Sequence, residues 1–179
     1  MTDAVIRSAR PDDAAAMGAL GRQTFIDTFV TGFGIPYPPH DLAAFLDASF
    51  SPEATATKLA EPGAAWWVAE NETGLLAFAN AGPNTLPHPD ARAGHAELRR
   101  LYVSEAAQGM GLGSRLLALS LEWMEANTEG PLWIGVWSGN LKAQKLYAAH
   151  GFRKAGEYQY PVGAWLDDEF ILRRDRRPA

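Results

Sequence analysis

The sequence predicts an α/β (α+β) protein built on one mixed sheet with helices on both faces. Two observations carry this expectation. The apolar period is helical before residue 60, strand-like between 64 and 103, and alternates between the two afterwards. The 179 residues, 47% of them apolar, are enough for one sizeable core. No internal repeat and no linker interrupts the chain, so residues 1–179 are expected to form a single domain.

The elements follow in order. Residues 4–8 alternate weakly and read as a first strand. Pro11, Asp12 and Asp13 then open a helix, with proline in the first turn and acids near the positive end of the dipole. This helix is expected to reach about residue 30. GFGIPYPPH (32–40) is a breaker-rich loop. DLAAFLDASF (41–50) has helical spacing at Leu42, Phe45 and Leu46, and Ser51, Pro52 and Glu53 cap a further helix to about residue 60. AAWWVAE (64–70) and GLLAFANA (74–81) are apolar runs joined by Asn71-Glu72-Thr73-Gly74, a hairpin signal.

Residues 82–94 form a loop, and HAELRRLYV (95–103) is a strand with an irregularity. Alternation puts Leu98 on one face but Leu101 and Val103 on the other, and a single β-bulge between them reconciles the two sets. A helix over 111–125 carries a broad apolar stripe, Leu112, Leu116, Leu117, Leu121 and Met124, that suits packing on a sheet. PLWIGVW (131–137) is a buried strand, 140–149 a short helix, and 152–160 and 169–173 two closing strands. Trp165-Leu166-Asp167-Asp168-Glu169 reads as a turn before the last strand, with an acidic rim for a cationic substrate as the alternative.

The formal charge of −5 argues against nonspecific binding to nucleic acid or an anionic membrane. It favours a cationic substrate instead. The absence of cysteine excludes disulfides, thiolate metal sites and a cysteine nucleophile. The N-terminal stretch lacks a signal-peptide pattern and no apolar run reaches membrane length, so a cytoplasmic protein is expected. His40, His88, His95 and His150 show no ligand spacing, and no metal is expected.

The stretch AAQGMGLGSRLL (106–117) places Gly109, Gly111 and Gly113 where a helix begins. Glycine in a helix costs about 1 kcal/mol against alanine, so the run points to a need for bare backbone. A helix N-terminus with unhindered N–H groups binds anions, phosphate above all. A Walker loop needs Gly-Lys-Ser/Thr, but Gly113 is followed by Ser114 and Arg115. A Rossmann fingerprint needs glycine where Ser114 stands and an acid where Trp137 and Ser138 stand. A G-x-S-x-G elbow is absent. What remains is either tight strand–helix packing or a different phosphate loop.

The run matches a Q/R-x-x-G-x-G/A loop at Gln108, Gly111 and Gly113. ELRRLYV precedes it, and VWSGNLKAQKLYAAHGF (136–152) follows with Asn-x-x-Ala-x-x-x-Tyr and then Gly-Phe. Together these resemble the pyrophosphate loop, bulged fourth strand and second signature of the GNAT N-acetyltransferase superfamily. TFIDTF (24–29), DLAAFLDASFS (41–51), WIGVWSGN (133–140) and DDEFIL (167–172) are similar to the bacterial polyamine (PaiA-type) branch. The resemblance implies a mostly antiparallel sheet of six to seven strands with a bulged central strand. It also implies transfer of acetyl from acetyl-CoA to a primary amine, possible as a homodimer, with no nucleic acid or membrane partner.

On this resemblance the diphosphate would lie on the loop of Gln108, Gly109, Met110, Gly111, Leu112, Gly113 and Ser114. The pantetheine arm would pair with Leu101, Tyr102 and Val103 like an added strand, with an N–H near Val103 facing the oxyanion. Asn140, Ala143 and Tyr147 share one helix face. Asn140 would bond the arm, Ala143 let it pass, and Tyr147 serve as general acid to the thiolate. An alkyl ammonium has a pKa of ~10.4, so a base must deprotonate the amine. Glu97 is the candidate, with His95 as alternative or relay. A strand acid paired with Arg99 or Arg100 is the competing reading of Glu97. Phe25, Asp27, Phe29, Tyr37, Asp41 and Asp47 are candidates to line the acceptor region. Without cysteine, attack is direct in a ternary complex. A GNAT acting on a protein N-terminus or another small amine, and a coenzyme A-binding module without catalysis, are the alternatives.

Overall fold

The computed structural model describes residues 4–176. Strand β1 (Val5–Ser8) leads through a 3-10 turn (Pro11–Asp13) into helix α1 (Ala14–Phe25). The Asp13 carboxylate accepts the Arg10 N–H at 2.6 Å, so the acid at the helix start satisfies an orphan amide. The helix then widens into a π-helix (Ile26–Gly32), ending two residues beyond the expected stop, with the Phe33 N–H reaching Thr28 O five residues back. Phe25 and Phe29 pack tilted at 4.8 Å and Phe29 and Phe33 at 5.9 Å along it. Helix α2 (Pro39–Phe50) starts earlier than expected because proline at the first helical position gives up no hydrogen bond. Helix α3 (Pro52–Leu59) is capped as the sequence predicts, by Ser51 Oγ accepting from the Ala54 N–H.

The remaining elements are β2 (Ala65–Asn71), β3 (Gly74–Pro83), β4 (Ala96–Val103), α4 (Leu112–Asn127), β5 (Leu132–Trp137), α5 (Leu141–Ala149), β6 (Arg153–Val162) and β7 (Trp165–Arg174). They build a seven-stranded sheet of order β1-β2-β3-β4-β5-β7-β6. Every neighbouring pair is antiparallel except β4 with β5. On one face, Leu117, Leu121 and Met124 of α4 and Tyr147 of α5 pack on Leu98, Leu132, Ile134 and Val136. On the other, Met17 and Phe50 of the first helices cover Val68, Phe78 and Tyr102. No helix among the described residues is long and apolar enough to cross a membrane.

The expected bulge lies at Arg99. Asn80 pairs with Arg100 and Ala81 with Leu98, leaving Arg99 without a partner on β3. Its guanidinium is tied down, donating to Pro83 O at 2.6 Å and 3.2 Å and to Glu61 at 2.9 Å. The parallel pairing of β4 with β5 stops at once. It covers only Ala96–Leu132, Glu97–Trp133 and Leu98–Ile134, and beyond Ile134 the strands part.

One expectation is overturned. Trp165-Leu166-Asp167-Asp168-Glu169 is strand, and the turn shrinks to Gly163 and Ala164. Asp167 and Glu169 point inward, against the low strand propensity of acids. They tolerate this because tyrosines from other segments donate to both.

Leu117 is fully buried at the centre of the α4 face. Leu117→Ala is expected to cost about 2–5 kcal/mol in urea unfolding, measured with the slope of the transition unchanged.

Candidate functional site

The parting of β4 and β5 creates an opening within a continuous sheet. Leu101, Tyr102 and Val103 pair with Ala79, Phe78 and Ala77 of β3, while their side toward β5 has no strand partner. The chain then makes a 3-10 turn (Glu105–Ala107), anchored by buried Ala107, and enters the glycine run. Gly109 and Gly111 have φ of 83° and 74°, the left-handed region that a Cβ disfavours. Gly111 is the N-cap of α4 and brings no side chain to cap it. The N–H groups of Leu112, Gly113 and Ser114 therefore open the helix without intrahelical acceptors. The amides of Gln108 and Met110 are already spent on Glu105 O and Ala107 O. Of the predicted loop residues, Gly109 and Gly111 keep amides without a backbone acceptor, and those at the head of α4 add the positive potential of the dipole. Leu112 contributes only its amide, because its side chain is buried. Gly113 differs from its neighbours: its backbone is ordinary, and a Cβ there would meet only Val103, at 3.6 Å. The protein itself does not require glycine at 113. The Ser104 hydroxyl, between β4 and the loop, is buried without a partner; nothing in the sequence marks it.

On the α4 face, Asn140 caps α5, its Oδ1 accepting from the Ala143 N–H at 3.0 Å. One lone pair of that oxygen is taken by the cap, and the side-chain NH2 remains free to donate to another group. Ala143 packs on the core beside Tyr147. Tyr147 is 8% exposed and meets Phe152 edge-on at 6.4 Å. Burial pushes its hydroxyl up to about 12, and the Tyr102 hydroxyl adds to the rise. The two tyrosines belong to elements on either side of the opening.

The opposite face holds a set of acids and aromatics. Glu97 is buried and makes no ion pair with Arg99, which binds Glu61, or with Arg100, whose guanidinium lies 4.8 Å from the Phe50 ring. One Glu97 oxygen instead accepts from the Thr85 N–H at 2.7 Å and the Thr85 hydroxyl at 2.8 Å. Burial raises its pKa, and these bonds oppose the rise. His95 makes no hydrogen bond to Glu97. It lies before the start of β4, away from the parting, and its Nδ1 accepts from the Trp133 indole at 3.1 Å.

Two further carboxylates complete the set. Tyr37 OH donates to Asp167 at 2.5 Å and Trp165 Nε1 donates to its other oxygen at 2.9 Å. Tyr158 OH donates to Glu169 at 2.5 Å. Burial pushes Glu169 up to about 7, with the charges of Asp167 and Glu97 adding and the Tyr158 hydroxyl opposing. None of the salt bridges among the described residues involves Glu97, Asp167 or Glu169. Tyr37 is the candidate from the first third of the chain that reaches this set. Phe25 is core, and Phe29 packs at the edge of Trp137. Asp27 accepts from Gln23, Asp41 from the Ala164 N–H, and Asp47 pairs with Arg22 at the surface. Two of the three acids, Asp167 and Glu169, come from β7, in the stretch where the sequence predicts a turn. Among the described residues no group of three His, Cys, Asp or Glu is placed to hold a metal.

Residues 23–152 match the acetyltransferase (GNAT) family model. An uncharacterized N-acetyltransferase of Lactobacillus delbrueckii subsp. lactis is 25% identical over 97% of this chain and 98% of its own. One of Mycobacterium tuberculosis is 28% identical over 76% of this chain and 83% of its own. Among solved structures, the PaiA N-acetyltransferase from Thermoplasma acidophilum in complex with coenzyme A superposes with a TM-score of 0.73 at 17% identity, covering 97% of this chain and 99% of that one.

Two stability experiments test this description. Gly111→Ala is expected to lose about 1–2 kcal/mol from its left-handed φ, while Gly113→Ala gains about 0.5–1 kcal/mol as an ordinary helix substitution, both read from urea midpoints. Glu169 has a folded pKa near 7 against about 4.3 in the unfolded chain. The folded state therefore binds the extra proton, and stability falls between those two pH values by about 3 kcal/mol. Glu169→Gln should remove this share of the drop in midpoints measured from pH 4 to 8.

Proposed function

We propose, from the premise that the chain belongs to the acetyltransferase (GNAT) family and is an acetyl-CoA-dependent N-acetyltransferase, that its acceptor is a polyamine attacked directly in a complex holding both substrates. The observation that carries the acceptor class is the cluster of Glu97, Asp167 and Glu169, acids that are largely or fully buried and hydrogen-bonded only by neutral donors. A carboxylate without a cation inside a protein favours any cationic ligand that replaces the lost water. Tyr37 and Trp165 bond Asp167, and Tyr160 and Trp137 pair across the sheet with Asp167 and Glu169, and their ring faces suit an ammonium. The likeness to a PaiA structure and the stretches TFIDTF and DDEFIL support the same branch.

The amides of Leu112, Gly113 and Ser114 would receive the diphosphate of acetyl-CoA. The unpartnered edge of β4 from Leu101 to Val103 would take the amides of its arm as a sheet takes a strand, with the N–H near Val103 facing the thioester oxygen. Asn140 would orient the arm through its free NH2. Gly113 and Ala143 keep the walls of this path low. Tyr147, protonated at any working pH, would donate toward the departing sulfur. The acids on the opposite face would draw in the ammonium, Glu97 among them.

The decisive assay is thiol release from acetyl-CoA with spermidine, spermine, simple diamines and peptides with free N-termini. Polyamines should react fastest, and Tyr147→Phe should lower kcat by about 10²–10⁴. Release with peptides alone overturns the polyamine assignment. Gly113→Ala should weaken coenzyme A binding by calorimetry although it stabilises the fold.

A further inference from the structure

Attack requires the acceptor nitrogen to lose a proton before or as it reaches the thioester, and the group that takes it must stand at the opening between β4 and β5. Gly135 marks that point. It directly follows Ile134, the last β5 residue paired with β4. Its bare backbone faces the acidic pocket. A Cβ there would lie 2.7 Å from the Tyr158 hydroxyl, 3.1 Å from Leu86 and 3.3 Å from Glu169 Oε2. The hydroxyl and the carboxylate are thus seated in a notch that only glycine permits, at the point where the strands separate. Glu97 flanks the same notch from β4 but lies opposite Trp133, within the closed part of the ladder, and Thr85 binds one of its oxygens twice.

We propose that Glu169, hydrogen-bonded to Tyr158 in the Gly135 notch, is the catalytic base that deprotonates the attacking ammonium. The inference rests on the acetyltransferase reading of the site but not on which amine is bound. In the step, one N–H proton passes to the Glu169 carboxylate. The freed lone pair forms the C–N bond at the thioester carbonyl. The C–S bond breaks with its electron pair on sulfur. A second nitrogen proton balances the one that Tyr147 gives to sulfur, and the third remains on the amide. Tyr158 is a positioning residue: its hydroxyl fixes the carboxylate over the notch. The charged and titratable groups facing Glu169 are Tyr158 and Tyr160 from β6, Asp167 from β7, Glu97 and Tyr102 from β4, and Tyr37 from the segment before α2, with Arg100 of β4 acting on Tyr102 and Tyr160. Burial and the acids among them hold Glu169 near 7, where a base is half ionised at neutral pH.

The test compares pH profiles of kcat/KM for the wild type, Glu169→Gln, Glu97→Gln and Tyr158→Phe, using whichever amine of the panel reacts fastest. The wild type should lose rate below pH about 7. Glu169→Gln should lower kcat by about 10²–10⁴ and abolish that limb, with coenzyme A binding retained as proof of folding. Tyr158→Phe should move the limb to higher pH, because the hydroxyl that favours the carboxylate is gone, a shift that loss of packing alone does not produce. A limb that survives in Glu169→Gln, or that disappears in Glu97→Gln instead, overturns the proposal. A second readout needs no acceptor: carbon-13 spectra of protein labelled at the glutamate carboxyls. One carboxyl should titrate near 7, vanish in Glu169→Gln and move up in Tyr158→Phe. Its absence also overturns the proposal, even where the polyamine assignment fails and another amine is the substrate.

Discussion

The site depends on one interruption of the sheet. A parallel pair between β4 and β5 would normally run the length of both strands, but here it holds for Ala96 to Leu98 and then ends. The bulge at Arg99 supplies the cause. An extra residue bends its strand and increases the local twist, and β4 leaves the plane of β5 just after it. The bulge is held by the hydrogen bonds from the Arg99 guanidinium to Pro83 and Glu61. Beyond it, β4 keeps its ladder to β3 and loses the one to β5. Unpaired backbone inside a sheet is costly unless something bonds it. The opening is therefore maintained by the rest of the fold and offers backbone groups to an extended ligand.

Much of this was legible because it is written in periodicity and in backbone chemistry. The conflict between Leu98 and the pair Leu101 and Val103 locates the bulge to within a residue or two, since alternation admits one remedy. Gly109 and Gly111 declare their left-handed φ by being glycine. The Asn140–Ala143–Tyr147 spacing declares one helix face. The C-terminal acids were not legible. Asp167 and Glu169 alternate with Leu166, Asp168 and Phe170, a pattern in which polar residues occupy both faces. Their inward position depends on Tyr37, far away in sequence, and Tyr158, on the neighbouring strand. A propensity argument cannot see a partner 130 residues distant. Thr85 is invisible for the same reason: an unremarkable loop residue holds the carboxylate singled out on β4. The π-helix is a local widening that lets Phe25, Phe29 and Phe33 stay packed, and no composition announces it.

The pocket also explains why acids sit where strand propensity disfavours them. Burial raises the proton affinity of Glu97 and Glu169, and the charges of Asp167 and Glu97 raise that of Glu169 further. Each neutral donor offsets part of this. Asp167 has two donors, Glu97 two and Glu169 one. Glu169 has the least support of the three, and burial holds it near 7. A cation entering the pocket would reverse the penalty for all three at once. Such an arrangement costs stability in the free protein and returns it on binding, which is how a functional pocket differs from a core.

The proton inventory fixes the relation between the two faces. Tyr147 near 12 holds its proton more tightly than an alkyl thiol near 8.5, by about 5 kcal/mol. Full transfer from Tyr147 to a departing thiolate is therefore uphill unless another proton replaces the one given. The attacking nitrogen carries the replacement, since it must shed two protons to become an amide. Under the proposed reading one goes to the acid face, and the second follows the collapsing adduct toward the sulfur. Tyr147 and Glu169 lie on opposite faces of the sheet, so no direct bond between them can short-circuit the exchange. Under the same reading the opening between β4 and β5 would be the route between the faces, and the transferred acyl group would fill it. On this proposal the split in the sheet would separate the base from the acid and join them only with both substrates in place.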